Sequence, residues 1–231
     1  IIEDEMIPND VVPGNAKETI WQIMERCALT KEEEIRLKEY VESKGAIFLS
    51  TPFSRASAIR LEAMGVVAYK IGSGECNNYP LLKHIVSFGK PIIMSTGMSS
   101  IQDIDESIGV LRDAGVKQLA VLKCTSAYPA LPKDANVAGV RVIQDTWNVV
   151  PGLSDHTLGN EVAMAAVALG ACIIEKHITF SKKMYGSDAQ FAMEPDDFKN
   201  FCDSLYKSKI MLNSKVNKDN LRPFKKMKMV F

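Results

Sequence analysis

The sequence predicts an α/β fold built on a parallel sheet, a TIM-type (β/α)8 barrel of which this chain carries six of the eight strands. Three observations carry that expectation. Short apolar runs bounded by turn residues recur at intervals of about 20 to 30 residues. Between them apolar residues fall at helical spacing, and strict alternation of strand with helix means parallel strands joined by right-handed crossovers. Nearly every run also ends in polar residues. An open doubly wound sheet concentrates its ligand groups at one switch point, whereas in a barrel all the C-terminal strand ends surround one pocket. Thr51, Glu75, Ser95, Ser126, Tyr128, His156 and His177 then ring a single cavity.

Residues 1 to about 18 are polar and turn-rich, with Pro8-Asn9-Asp10 and Pro13-Gly14-Asn15, and read as a long surface loop. Thr30 followed by Glu33 is a capping box that opens a helix to about Ser43; Ile35, Leu37, Tyr40 and Val41 form its apolar stripe and Gly45 ends it. Residues 46–50 form the first strand, and Thr51-Pro52-Phe53 is its turn. A helix over 54–64, stopped by Gly65, leads to a strand over 66–71 and then to Gly72-Ser73-Gly74-Glu75. The helix over 79–88 stops at Gly89, and strand 91–94 runs into Ser95-Thr96-Gly97. Another helix is capped near Ser99 or Ser100 and reaches Gly115. Strand 118–124 follows, then a helix around 138–146, and strand 149–153 with Ser154-Asp155-His156 at its end. Residues 157–169 are helical, Gly170 ends them, and 171–177 is the last strand. Glu194-Pro195-Asp196-Asp197 starts a final helix to about Met211, with proline at a favoured first-turn position. Because the helix at 32–43 precedes the first strand, a strand upstream of it is expected, and 1–213 read as an incomplete barrel domain.

Composition narrows the function classes. With 231 residues and 46% hydrophobic content, one large domain can bury a substantial core. Lys plus Arg is 28 and Asp plus Glu is 28, so no overall field attracts nucleic acid or an anionic membrane, while a local basic pocket for a small anion stays open. Five widely spread cysteines without a C-x-x-C pair argue for a reducing cytoplasm and against a disulfide frame or structural zinc. No apolar run approaches the ~18 to 20 residues of a membrane span.

The strand ends suggest the chemistry. In the strand at 171–177, alternation puts Glu175 and His177 on one face and Lys176 on the other. His156 ends the preceding strand in the same way, and two neutral imidazoles from adjacent strands suit a divalent transition metal. His84, in mid-helix, reads as a plain helix residue. Lys70 beside Gly72-Ser73-Gly74, with Thr51, Ser95, Ser126 and Ser154, offers a cradle for a dianion; singly, each is an ordinary turn or cap residue. Glu75 is either a general acid/base or a carboxylate that caps the following helix, and Glu175 is expected to be buried and paired. A Schiff-base role for Lys176 is disfavoured by its facing away, and Cys76, Cys124 and Cys172 read as packing residues.

The motifs Tyr69-Lys70-Ile71-Gly72-Ser73-Gly74-Glu75-Cys76-Asn77-Asn78-Tyr79-Pro80, Ser95-Thr96-Gly97-Met98, Cys124-Thr125-Ser126-Ala127-Tyr128-Pro129, Gly152-Leu153-Ser154-Asp155-His156-Thr157 and Glu175-Lys176-His177 resemble the sialic acid synthase family in its bacterial form. The resemblance implies a TIM barrel that condenses phosphoenolpyruvate with N-acetylmannosamine or a related N-acetylated amino sugar, with Mn2+ (or Mg2+ or Co2+). It implies that His156 and His177 bind the metal and act in catalysis, and that Thr51, Lys70, Ser73, Ser95, Ser126 and Ser154 hold phosphoenolpyruvate. Glu75 would act as acid/base, Tyr128 and Asp188 would hold the sugar, and Phe53 would line the pocket. Family members also begin with a strand carrying Glu-Ile-Gly and Asn-His and a second bearing Lys and Gln, none of which is in this sequence. They form a swapped homodimer through a C-terminal antifreeze-like domain, towards which 214–231 would be the linker. A non-catalytic binding module of the same fold is the alternative.

Overall fold

The computed structural model describes residues 10–12, 17–186, 188–215, 219–220, 222, 225 and 227–230. Most of the expected loop at 1–18, and most of the expected linker, therefore lie outside the described residues.

Five strands, β1 (Tyr69–Ile71), β2 (Ile92–Ser95), β3 (Leu119–Cys124), β4 (Val150–Asp155) and β5 (Ile173–Lys176), form one sheet in chain order. Every pair is parallel, in the register Tyr69↔Ile92, Ile92↔Leu119, Ala120↔Val150 and Gly152↔Ile173. Among the described residues β5 does not pair back to β1, so the sheet is a curled arc of a barrel. The helices are α1 (Ile20–Cys27), α2 (Lys31–Ser43), α3 (Arg55–Ala63), α4 (Tyr79–Val86), α5 (Ile101–Asp113), α6 (Gly139–Trp147), α7 (Glu161–Ala168) and α8 (Pro195–Asn213).

Local chemistry sets the helix ends. Thr30, Ser54 and Ser100 each accept from the backbone N–H three residues on, and Glu33, Ser57 and Asp103 return the bond to the cap's own N–H. Each box satisfies two donors that a helix start otherwise leaves bare. Gly65 (φ 73°) and Gly115 (φ 93°) turn the chain out of α3 and α5 through a left-handed backbone that a side chain would oppose. Thr19 and Gln22 form a fourth box, which opens α1, a helix the sequence reading passed over although Ile20, Ile23, Met24 and Cys27 stand at helical spacing.

The outward face of the sheet packs on the helices. Tyr69, Ile71, Ile92, Met94 and Val121 meet Leu61, Leu82, Ile85, Ile108 and Leu111, all nearly inaccessible. A second cluster joins Leu153 to Val140, Ala163, Ala166 and Phe201. The inward face is crowded at Gly152, where a Cβ would overlap Leu122 Cδ2 and lie 2.7 Å from the Ile173 carbonyl oxygen.

Two expectations need correction. Residues 46–50 are not a strand, which makes five strands rather than six. Phe48 is 9% exposed and Ile47 70%, so alternation is present, but the segment has no ladder partner among the described residues, and Ala46 N–H is spent on Val41 O at the end of α2. The helix expected from Thr157 starts only at Glu161, because Asp155 Oδ1 takes both the Thr157 N–H (2.9 Å) and its hydroxyl (2.7 Å).

Two polar networks lock the outward face. Lys176 Nζ lies 2.7 Å from Asp155 Oδ2, with side chains 3% and 1% exposed, and also donates to Thr157 O. Glu62 Oε2 accepts from the Tyr69 hydroxyl at 2.8 Å and from Lys90 Nζ at 2.6 Å. Burial, then the bond to Glu62, pushes the Tyr69 phenol well above its usual range. Lys90 holds the Glu62 carboxyl below the ordinary carboxylate value, against a smaller opposing effect of burial.

Removing one member of the buried pair, by Asp155→Asn or Lys176→Met, is expected to cost about 3–5 kcal/mol in urea unfolding, and the double replacement Asp155→Asn/Lys176→Met, which leaves no unpaired charge and keeps an acceptor for Thr157, to cost less than the sum of the two. Since the folded pKa of Glu62 is depressed, its stabilisation is complete above the unfolded value and disappears as pH falls through the folded one. Stability measured from about pH 6 down to about pH 3 should therefore fall less steeply in Glu62→Gln than in the parent.

Candidate active site

The alternation that turns Lys176 outward turns Glu175 and His177 inward. At the C-terminal ends of β1 to β5 a cavity of about 430 Å3 is lined by Phe53, Lys70, Ser73, Ser95, Ser126, Tyr128, Ser154, His156 and His177, all expected from the sequence. Larger cavities, of about 580 Å3 at the N-terminal strand ends and about 650 Å3 between α7 and α8, gather none of these groups. Size is a poorer guide here than convergence of polar side chains.

The two imidazoles meet at the far side of the cavity, with ring centroids 5.1 Å apart. His156 is 9% exposed and its Nδ1 lies 2.8 Å from Thr125 O. A carbonyl only accepts, so Nδ1 carries the proton and Nε2 keeps its lone pair. His177 Nδ1 lies 3.7 Å from Asp188 Oδ2, which favours the same tautomer. No described residue hydrogen-bonds to either Nε2. Burial, and then the neighbouring His156, lower the His177 pKa. For His156 burial acts downward, but the Cys124 thiol and the Thr125 carbonyl outweigh it and the net shift is upward. The Tyr128 ring lies 4.2 Å from that of His156 at a tilt of 38° and meets His177 edge-on at 5.8 Å.

Among the described residues no three His, Cys, Asp or Glu side chains form a complete metal cage. The pair nevertheless fits a divalent ion that keeps open positions: two imidazole nitrogens without a partner among the described residues, with the His156 ring fixed by Thr125 O and Asp188 near that of His177.

Beside the imidazoles lies a group of hydroxyls and one ammonium. Lys70 Nζ donates to Ser95 Oγ at 2.8 Å and to Ile71 O at 3.0 Å. Gly97 N–H donates to Ser73 Oγ at 2.9 Å, and the Ser73 hydroxyl lies beside the Cys124 thiol. Only glycine fits at 97, where a Cβ would overlap Ser126 Oγ and lie 2.7 Å from Cys124 Sγ.

Some predicted residues sit outside the lining. Glu75 lies in the turn after β1, its Oε2 accepting at 2.6 Å from Asn78 Nδ2; the cap of α4 is Asn78 rather than Glu75, which only holds the capping side chain in place. Thr51 packs its methyl beside Gly72, at the edge of the cavity. Asp188 touches the site through His177.

Glu175, expected to be buried and paired, is paired but 43% exposed, because it projects into the open cavity rather than into packed interior. Its Oε1 accepts from Ser154 Oγ at 2.6 Å and its Oε2 lies 3.5 Å from Lys70 Nζ. Sequence reading also passed over Cys124 as a wall of the site, and Cys172, expected to pack, is exposed. The alternation that placed His177 was signal enough for Glu175; no pattern in the sequence pointed to Cys124. Lys176 is held in its buried pair with Asp155, away from the cavity.

Known proteins share this arrangement of chain. The NeuB family model matches residues 4–217. An N,N'-diacetyllegionaminic acid synthase of Campylobacter jejuni is 37% identical over 81% of this chain and 57% of its own length. An N-acetylneuraminate-9-phosphate synthase of Drosophila melanogaster is 34% identical over 78% of this chain and 49% of its own. The chain thus spans about half the length of these curated relatives. The crystal structure of an N-acetylneuraminic acid synthetase from Leptospira borgpetersenii superposes with a TM-score of 0.82 at 26% identity, covering 90% of this chain and 73% of that one. With its match over residues 4–217, the chain belongs to the NeuB family.

Proposed function

We propose that the protein condenses phosphoenolpyruvate with an N-acetylated amino sugar, N-acetylmannosamine or a related acetamido sugar, to give N-acetylneuraminate or a related nonulosonate and free phosphate. One observation carries the reading: Lys70 and the Ser73, Ser95 and Ser154 side chains converge in one cavity with two imidazoles whose Nε2 atoms have no hydrogen-bond partner among the described residues. Relatives whose names state such syntheses support it.

Lys70, Ser73, Ser95, Ser126 and Ser154, with Thr51 at the rim, hold the phosphate and carboxylate of phosphoenolpyruvate by charge-assisted hydrogen bonds. Tyr128 and Asp188 orient the sugar, Phe53 excludes water from one side, and His156 and His177 hold a divalent ion, Mn2+ in the first instance. Such an ion supplies Lewis-acid polarisation of the sugar aldehyde. The carbon–carbon bond forms as C3 of phosphoenolpyruvate attacks the aldehyde carbon, whose oxygen takes up a proton. Water then adds at C2 and loses one proton, and the C2–O bond to phosphate breaks as the remaining hydroxyl proton passes to the departing phosphate and the ketone forms. Glu75, near the rim, is the acid/base for these proton transfers once Asn78 releases it. The proposal includes a cytoplasmic homodimer.

Mixing the protein, expressed with all the sequence its gene encodes, with phosphoenolpyruvate, Mn2+ and N-acetylmannosamine should release inorganic phosphate. Silence across the 2,4-diacetamido sugars as well would refute the assignment. Running the same assay on the 231 residues alone separates catalysis from a binding module. His156→Ala and His177→Ala should each lower Mn2+ content and phosphate release by about a hundredfold or more, with unchanged far-ultraviolet circular dichroism. Normal metal content in either variant would remove that residue from the ligand set.

A further inference from the structure

The anion cradle contains its own anion. Besides the imidazoles, the charged side chains lining the cavity are Lys70 and Glu175, and they face each other at 3.5 Å. Glu175 Oε1 also takes the Ser154 hydroxyl, at 2.6 Å. One hydroxyl assigned to the phosphoenolpyruvate anion is thus already bonded to a carboxylate of this chain, and the ammonium assigned to it faces that carboxylate as an ion pair. Register explains the placement: Ser154 pairs with Glu175 across β4 and β5, so both side chains project from adjacent inward positions. Lys70 reaches the same space from β1, held there by Ser95 Oγ and Ile71 O.

We infer that Glu175 is a gating carboxylate: it occupies the anion cradle when the site is empty and must be displaced from Lys70 and Ser154 before phosphoenolpyruvate binds. This rests on the reading of the cavity as the phosphoenolpyruvate site. Three consequences follow from the charges. With Glu175 in place the cradle is neutral, so it holds Lys70 and Ser154 in position without attracting every anion that diffuses in. An incoming anion exchanges one carboxylate partner for another and gains correspondingly little from the ammonium. Once displaced, the carboxylate stays nearby on β5 and repels the bound anion, which weakens binding without removing any donor. Its contact with Lys70 is beyond normal hydrogen-bond length, and its side chain is 43% exposed, so room for the displacement exists.

Isothermal titration of phosphoenolpyruvate into the gene's full product, with Mn2+ and separately with EDTA, tests this. Glu175→Gln keeps the shape and the bond from Ser154 but loses the charge, and should bind phosphoenolpyruvate about tenfold or more tightly than the parent. Glu175→Asp keeps the charge and should bind no more tightly than the parent. Inorganic phosphate should show the same order. Melting temperatures establish that each variant folds, and Ser154→Ala, which frees Oε1 but leaves the charge, should not reproduce the tightening. If the parent binds and Glu175→Gln binds equally or more weakly, the gate is overturned while the reading of the cavity stands. If neither protein binds phosphoenolpyruvate with or without Mn2+, the reading of the cavity falls and the gate with it.

Discussion

The buried contact between Lys176 and Asp155 holds the rest of the site in place. These residues face each other across β4 and β5 on the helix side of the sheet, and the next residue of each strand necessarily points the other way. A slip of β5 by one residue against β4 would carry Lys176 inward, away from Asp155, and take Glu175 and His177 out of the cavity. The slip would also leave two ionised groups without partners, so the pair costs most when the register is wrong. As a contribution to net stability a buried ion pair is modest; as a specification of register it is strong.

From that register the electrostatics of the cavity follow. Parallel strands deliver all their C-terminal ends to one side, and Lys70, Ser95, Cys124, Ser154 and Glu175 arrive there from five successive strands. Backbone groups then fix side chains: Thr125 O sets the His156 tautomer and Gly97 N–H holds the Ser73 oxygen. The site is therefore arranged to receive negative charge on one side and to donate electron pairs on the other before any ligand arrives. A neutral resting cradle, closed by Glu175 on Lys70, is consistent with that arrangement.

Much of this was legible in the sequence because it depends on local rules. Capping pairs such as Thr30 with Glu33 and Ser100 with Asp103 fix helix starts within a few bonds, and period-two alternation placed His177 inward and Lys176 outward. What escaped depends on neighbours distant in the chain. Residues 46–50 carry the alternation of a strand but no described partner completes it, so pattern alone overcounted. Thr157 looked like helix until Asp155 claimed its N–H and hydroxyl. The exposure of Glu175 depends on the hollow in front of it, and the place of Cys124 on the space that Gly97 leaves. Composition and spacing report on neither.

The central claim is that the strand ends form one metal-assisted site for phosphoenolpyruvate. Anomalous diffraction at the manganese edge, from crystals grown with Mn2+ and phosphoenolpyruvate, addresses it directly. Expected is a single strong peak bonded to Nε2 of both His156 and His177, with the phosphate of phosphoenolpyruvate on Lys70 and Ser95. A peak elsewhere on the molecule, or phosphoenolpyruvate bound away from Lys70, would contradict it.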